Sequence, residues 1–129
     1  VGSFLVKHLR INWTEGEKHF RNCLLDFNKA NNVAQWQWVA GCGADAAPYF
    51  RIFNPILQGE KFDKEGLYVK KWVPELSKVP NKFIHKPWEM EIKYQEAIKT
   101  IIGKDYPKPV VIHEKARAAA LEAFQSLKK

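Results

Sequence analysis

The spacing of apolar residues near the start of the chain is typical of a helix. Phe20, Leu24, Leu25 and Phe27 recur at helical spacing, which predicts an amphipathic helix over residues 15–27. Thr14 followed three residues later by Glu17 matches a capping box, in which the threonine is the N-cap and the glutamate returns a hydrogen bond. The pattern therefore places the start of this helix at Thr14.

A polar run over residues 28–32 interrupts the apolar pattern and predicts a break between two helices. Asn31 or Asn32 can cap the second helix, because an asparagine side chain accepts hydrogen bonds from free backbone N–H groups. The second helix is expected to stop by Gly41 or Gly43, since glycine readily adopts the left-handed conformation that ends many helices.

The remainder of the chain is divided into short elements by proline and glycine. Four more helices are predicted: one opening at Asn54-Pro55, one capped by Asp63, one over 89–102 and one over 114–127. The only strand signal is the apolar run 110–112, which is too short to build a sheet. The predicted fold class is all-α, with no significant sheet.

Composition favours an intracellular protein with an anionic partner. Lys and Arg number 21 against 14 acidic residues, a net charge of +7, and nucleic acid is the commonest partner of such basic domains, although a solvated surface would also explain the excess. Cys23 and Cys42 do not form a disulfide framework, which indicates reduced thiols and a cytoplasmic location. No apolar run is long enough to cross a membrane, and none of these features indicates an obligate protein partner.

The candidate chemistry lies in an aromatic-rich stretch and not in an acid–base motif. The sequence has no glycine-rich phosphate loop, no cluster with metal-ligand spacing and no nucleophile elbow. Its aromatic residues are interleaved with amides and charges; they are Trp13, Trp36, Trp38, Tyr49, Phe50 and Phe53 among Asn28, Asn31, Asn32, Gln37, Asp45 and Arg51. A core of large aromatic side chains explains this density, and so does a surface that stacks a flat ligand or nucleobases.

One long string narrows these alternatives. WQWVAGCGADAAPYFRIFNPILQGEKFDKEG, residues 36–66, resembles the signature run of the DNA photolyase and cryptochrome family. NWTEGE and DFNKANN upstream, and WVPEL, IHKPW and YPKPVVIHEKARAAALEAF downstream, resemble the same family in the same order. The resemblance implies the helical FAD-binding domain, in which FAD transfers a photoexcited electron to a pyrimidine dimer flipped out of DNA.

The resemblance also implies residues that bind the cofactor. Asp26 and Asn28 match two flavin-contacting acids of the family, with Phe27 between them, and Asn28 departs from the pattern because an amide replaces a carboxylate. Asn32 matches the amide that faces flavin N5. An amide suits that position because it can accept a hydrogen bond from a flavin N–H or donate one to an unprotonated nitrogen.

Further positions match the electron relay and the DNA face. Trp36 and Trp13 match the flavin-proximal and middle members of the family's photoreduction chain. Trp38 matches the residue that stacks on the flipped lesion, and Arg51 and Gln58 match the DNA-contacting face, where an arginine suits phosphate.

By this resemblance the chain, residues 1–129, is expected to be the C-terminal part of the FAD-binding catalytic domain of a cyclobutane pyrimidine dimer photolyase. The antenna domain, which would hold an antenna chromophore, and the first half of the FAD domain are then absent, and the isolated chain is expected to be inactive. A cryptochrome-type photoreceptor and a generic basic helical nucleic-acid module are the alternatives, and Trp38 with Gln58 favours repair. The iron–sulfur branch of the family is disfavoured, because two cysteines cannot supply four thiolate ligands.

Overall fold

The computed structural model describes residues 1–44 and 50–127, so Asp45 and Tyr49 of the aromatic-rich stretch lie outside the described residues. The chain divides into two compact units, Asn54–Val110 and the remainder. A π-helical turn, Phe4–His8, comes first. It is followed by α1 Trp13–Cys23, α2 Lys29–Ala40, α3 Pro55–Phe62, α4 Leu67–Trp72, α5 Ile92–Ala97 and α6 His113–Ser126, with 3₁₀ turns at Pro74–Leu76 and Pro87–Glu89.

The all-α prediction is confirmed for the described part of the chain. An isolated bridge between Ile102 and Tyr106 is the sole extended pairing found there. The apolar run 110–112 does not become a strand, because Ile112 takes the N-cap position of α6. Within the same described ranges, no helix is both long and apolar enough to cross a bilayer.

Two predicted helix starts in the first unit are wrong, and each is wrong because an earlier asparagine caps the helix. Asn12 is the N-cap of α1, and its side chain accepts a hydrogen bond from the Thr14 backbone N–H at 3.1 Å. Asn28 caps α2 by accepting from the Asn31 N–H at 3.0 Å, so the polar run 28–32 is mostly helical. The stop at Gly41 is confirmed, and its left-handed φ of 76° allows the turn.

The second unit holds a small apolar core, against which Val69 of α4 packs. Leu76, Val79, Ile84 and Met90 are buried together in it. α3 begins at the predicted Asn54-Pro55 step. Both carboxylate oxygens of Asp63 accept from N–H groups of the first turn of α4, although the N-cap residue of that helix is Gly66 and not the predicted Asp63. α5 is shorter than the predicted helix over 89–102, since it ends at Ala97.

A pair of histidines joins the π-helical turn to α6 within the first unit. Nε2 of His8 lies 2.8 Å from Nδ1 of His113, and His8 is buried. Burial lowers the pKa of His8 below its usual value, the nearby His113 lowers it further, and a backbone contact with Ser3 opposes both. The folded state therefore favours the neutral imidazole.

This histidine pair makes stability depend on pH. Because the pKa of His8 is lower in the folded chain, the unfolded chain binds more protons below about pH 6.5, so stability falls as the pH drops from there through the lowered pKa. We expect the thermal unfolding midpoint to fall between pH 7.5 and pH 5.5, and to fall less in a His8→Leu variant. An equal slope in both proteins, measured by circular dichroism, would assign the pH dependence to other groups.

Candidate functional site

A pocket of the first unit lies between the end of α1 and the first three turns of α2. Its volume is about 370 Å³. Its lining combines apolar and amide side chains; the residues are Gly2, Phe20, Leu24, Asp26, Asn28, Asn31, Asn32, Gln35, Trp36 and Val39. A largely apolar wall with a few converging polar groups is the usual composition of a small-molecule site. We call it the α1–α2 pocket.

Trp36 forms the apolar wall of the α1–α2 pocket. Only 4% of its surface is exposed, and its indole meets the ring of Phe20 edge to face at 5.1 Å. The indole also lies directly on the backbone of Gly16, where a Cβ atom would overlap it. Trp13 precedes Gly16 by three residues, and residues at this spacing share a helix face. Trp36 of α2 therefore packs on the α1 face that contains Gly16, and the spacing puts Trp13 on that same face.

Asn28 combines a structural role with a place in the pocket wall. Its Oδ1 is engaged by the Asn31 N–H at the start of α2, which leaves its NH₂ group for other partners. An aspartate would cap the helix equally well but would present a second carboxylate oxygen instead of a donor. The amide at this position thus changes what the wall offers to a ligand without changing the helix start.

Asn32 is buried and its amide is held in one orientation by Glu17. Nδ2 of Asn32 donates to the backbone oxygen of Glu17 at 3.0 Å and to Oε1 of the same residue at 3.3 Å. The amide nitrogen is therefore engaged twice by Glu17, while Oδ1 of Asn32 takes no hydrogen bond within the described part of the chain. Since Asn32 lines the pocket, the group available to a ligand is a carbonyl oxygen.

Glu17 is itself fixed by an arginine one turn further along α1. Nε of Arg21 donates to Oε1 of Glu17 at 3.2 Å, and Nη2 of Arg21 donates to Oε2. The hydrogen bond from Arg21 lowers the pKa of the Glu17 carboxyl, and the charge of Arg21 and the hydrogen bond from Asn32 act in the same direction against the burial of the group. Glu17 is thus a buried carboxylate in its ionised form.

The remaining predicted cofactor residues differ in position. Asp26 is exposed at the edge of the α1–α2 pocket. Phe27 is half-buried and does not line it. Three of the four residues predicted to bind the cofactor, Asp26, Asn28 and Asn32, therefore line the same pocket as Trp36.

The residues predicted to face DNA do not share a pocket. Trp38, which follows Trp36 by two residues on α2, lines a depression of about 130 Å³ together with Gln37 and Cys42. Arg51 lines another of about 260 Å³, and its guanidinium lies 5.9 Å from the ring centre of Phe53. Gln58 is exposed on α3, in the second unit.

Two residues of the pocket environment were missed by the sequence reasoning. The sequence pattern assigns Glu17 to a capping box and gives no role to Arg21. A sequence signal near them is Gly16, which lies inside a helix, where glycine costs about 1 kcal/mol relative to alanine. A packing reason is expected for such a glycine, and here it is the contact with Trp36. No group of three or more His, Cys, Asp or Glu side chains that could hold a metal occurs within residues 1–44 and 50–127.

Comparison with known proteins identifies the family of the chain. The family described as the FAD binding domain of DNA photolyase matches residues 1–126. Deoxyribodipyrimidine photo-lyase of Agrobacterium fabrum is 57% identical over 129 residues, all of this chain and 27% of that protein.

Two solved structures are similar as well. A bacterial class III photolyase from Agrobacterium tumefaciens has a TM-score of 0.91 at 56% identity, over 98% of this chain and 26% of that one. A cryptochrome from Synechocystis sp. PCC6803 has a TM-score of 0.86 at 36% identity, over 94% of this chain and 25% of that one. The chain thus spans about a quarter of the length of these relatives. It belongs to the family of DNA photolyase FAD-binding domains.

Proposed function

We propose that the protein containing this chain is a light-driven DNA repair enzyme, a deoxyribodipyrimidine photo-lyase that splits cyclobutane pyrimidine dimers with FAD. The observation that carries the proposal is the α1–α2 pocket, where Asp26, Asn28 and Asn32 converge beside Trp36. The chain would form the C-terminal part of the catalytic domain. Activity belongs to the whole protein, because the matched relatives are nearly four times longer than this chain.

The residues of the pocket fit a flavin ring. Its volume of about 370 Å³ lies in the range of small-ligand sites and suits a flat ring system rather than a whole dinucleotide. Trp36 supplies an apolar wall, Asn32 an acceptor and Asn28 a donor, which matches the alternating donors and acceptors at the edge of an isoalloxazine. FAD, when bound and reduced, supplies the electron that splits the dimer.

Trp36 and Trp13 would carry electrons towards the pocket during photoreduction. An indole is a readily oxidised π system that packs in a protein interior without a charge. Trp36 lies in the pocket wall, and Trp13 lies on the α1 face against which the Trp36 indole packs. This placement supports an order in which Trp36 is nearer the pocket and Trp13 is the next member of the relay.

Trp38, Arg51 and Gln58 would form the contacts to damaged DNA. Trp38 is 37% exposed, so its indole is available to stack on a base that has left the duplex. Arg51 is exposed and basic, as phosphate contact requires, and the net charge of +7 favours an anionic partner in general. A cytoplasmic location is part of this proposal.

A cryptochrome-type photoreceptor is the second candidate, favoured by the structural match to the Synechocystis cryptochrome. Both functions need the flavin pocket, so the difference lies in what happens to DNA. The full-length protein should be purified, its flavin absorbance recorded, and dimer-containing oligonucleotide incubated with it under blue light and in the dark. Splitting only in the light supports repair; bound FAD without splitting supports the photoreceptor; an absence of FAD contradicts the pocket assignment.

A further inference from the structure

Glu17 and Arg21 have no role in the proposed electron relay or DNA face, and neither lines the α1–α2 pocket, yet Glu17 contacts the pocket residue Asn32 and is itself held by Arg21. Glu17 is buried, with 4% of its surface exposed, although it is acidic. Buried carboxylates are uncommon unless they are paired and hydrogen-bonded. Here the partners are Arg21 on the same helix and Asn32 on the neighbouring helix. The carboxylate thus connects an exposed arginine to the amide in the pocket wall.

We propose that Glu17, held by Arg21, is a positioning residue that fixes the Asn32 amide so that the pocket presents a hydrogen-bond acceptor and not a donor. This inference rests on the proposed flavin function. Glu17 accepts two hydrogen bonds from the Asn32 amide nitrogen, one on its backbone oxygen and one on Oε1. An amide held in this way cannot turn its NH₂ group towards the pocket without losing both hydrogen bonds.

The orientation has a chemical consequence for the ligand. A carbonyl oxygen accepts a hydrogen bond from a ring nitrogen that carries a proton and repels the lone pair of one that does not. The pocket therefore favours the forms of flavin with a protonated nitrogen at that edge over the oxidised form, in which the nitrogen is an acceptor. The same amide with free rotation would serve both forms. By fixing this orientation, and in opposition to its own negative charge, Glu17 raises the reduction potential of the bound flavin.

Substitution of Glu17 by Gln distinguishes two effects on the flavin midpoint potential, the orientation of the Asn32 amide and the negative charge of Glu17. Loss of a negative charge near a flavin favours its reduction, so electrostatics alone predicts a higher midpoint potential. A glutamine has one acceptor oxygen, for which Arg21 and Asn32 would compete, so positioning predicts a looser amide and a lower potential. The backbone oxygen still holds one amide hydrogen, so we expect a decrease of roughly tenfold in the two-electron equilibrium constant, about 30 mV.

The measurement is a spectroelectrochemical titration of FAD in the full-length protein and in its Glu17→Gln variant. A higher or unchanged midpoint potential in the variant would overturn the positioning role. Wild-type protein that binds no FAD would instead contradict the proposed function, so the two failures are distinguishable.

Arg21→Met gives a second measurement should Glu17→Gln fail to fold. It removes one positive charge from α1 and the two hydrogen bonds to Glu17. Lys18→Met is its matched control, because it removes the same charge from an exposed position on the same helix. We expect the midpoint potential to fall further in Arg21→Met than in Lys18→Met. Expressed as the equilibrium constant for flavin reduction, the decrease should be at least several-fold larger in Arg21→Met. Equal shifts would mean that Arg21 acts by charge alone.

Discussion

Replacing Trp36 by Phe in the full-length protein is expected to abolish light-driven reduction of oxidised FAD while leaving the fold and the bound cofactor intact. Phenylalanine is much harder to oxidise than tryptophan, so the step nearest the flavin is lost. It preserves most of the apolar volume against Phe20 and Gly16, so the cost in stability should stay below roughly 3 kcal/mol. Flavin absorbance under blue light with an external reductant measures the effect.

The matched control is Trp72→Phe, because Trp72 is an indole in the second unit with 63% of its surface exposed and no place in the proposed relay. This control should photoreduce at the wild-type rate. Chemically reduced Trp36→Phe protein should still repair dimers, since that electron leaves the flavin towards DNA. If Trp36→Phe photoreduces normally, Trp36 is a packing residue and the relay assignment is wrong.

Helix existence could be predicted from the sequence much better than helix starts. Apolar spacing located α1, because burial on one face imposes that spacing whatever the caps are. The glycine stop at residues 41–43 bounded α2, the Asn54-Pro55 step located α3, and alanine-rich composition located α6. The starts of α1 and α2 were wrong because each segment offers several polar side chains that can cap. Asn12 competes with Thr14, and Asn28 competes with Asn31 and Asn32. Which of these residues becomes the N-cap depends on where the packing of the apolar face positions the first turn of the helix. The local sequence pattern does not contain that information.

The residues of the candidate site could also be predicted only in part. The resemblance named Asp26, Asn28, Asn32 and Trp36, and the structure gathers them around one pocket. The Glu17–Asn32 contact could not be predicted, since it joins residues 15 positions apart. It also uses an amide that was expected to cap α2, whereas Asn28 is the N-cap of that helix. A capping box would have used Glu17 locally. Because Asn12 caps α1 instead, the carboxylate is free to reach α2.

Replacing Trp38 by Ala is expected to reduce the preference of the full-length protein for dimer-containing DNA over undamaged DNA. Stacking of a base on an aromatic side chain is worth roughly 1–3 kcal/mol, which corresponds to about a five- to 150-fold loss of discrimination. Undamaged duplex keeps its bases stacked inside the helix, so its binding should change little. Fluorescence anisotropy with matched damaged and undamaged oligonucleotides measures both affinities.

Two variants separate stacking on the lesion from general contact with DNA. Trp88→Ala is the matched control, because Trp88 is 38% exposed against 37% for Trp38 but lies in a 3₁₀ turn of the second unit. Arg51→Ala should weaken damaged and undamaged binding by similar factors and reduce the salt slope by about 1, because a phosphate contact carries no lesion information. Since each mechanism leaves its own pattern, lesion preference that survives in Trp38→Ala would remove Trp38 from the substrate face, whatever the effect on affinity.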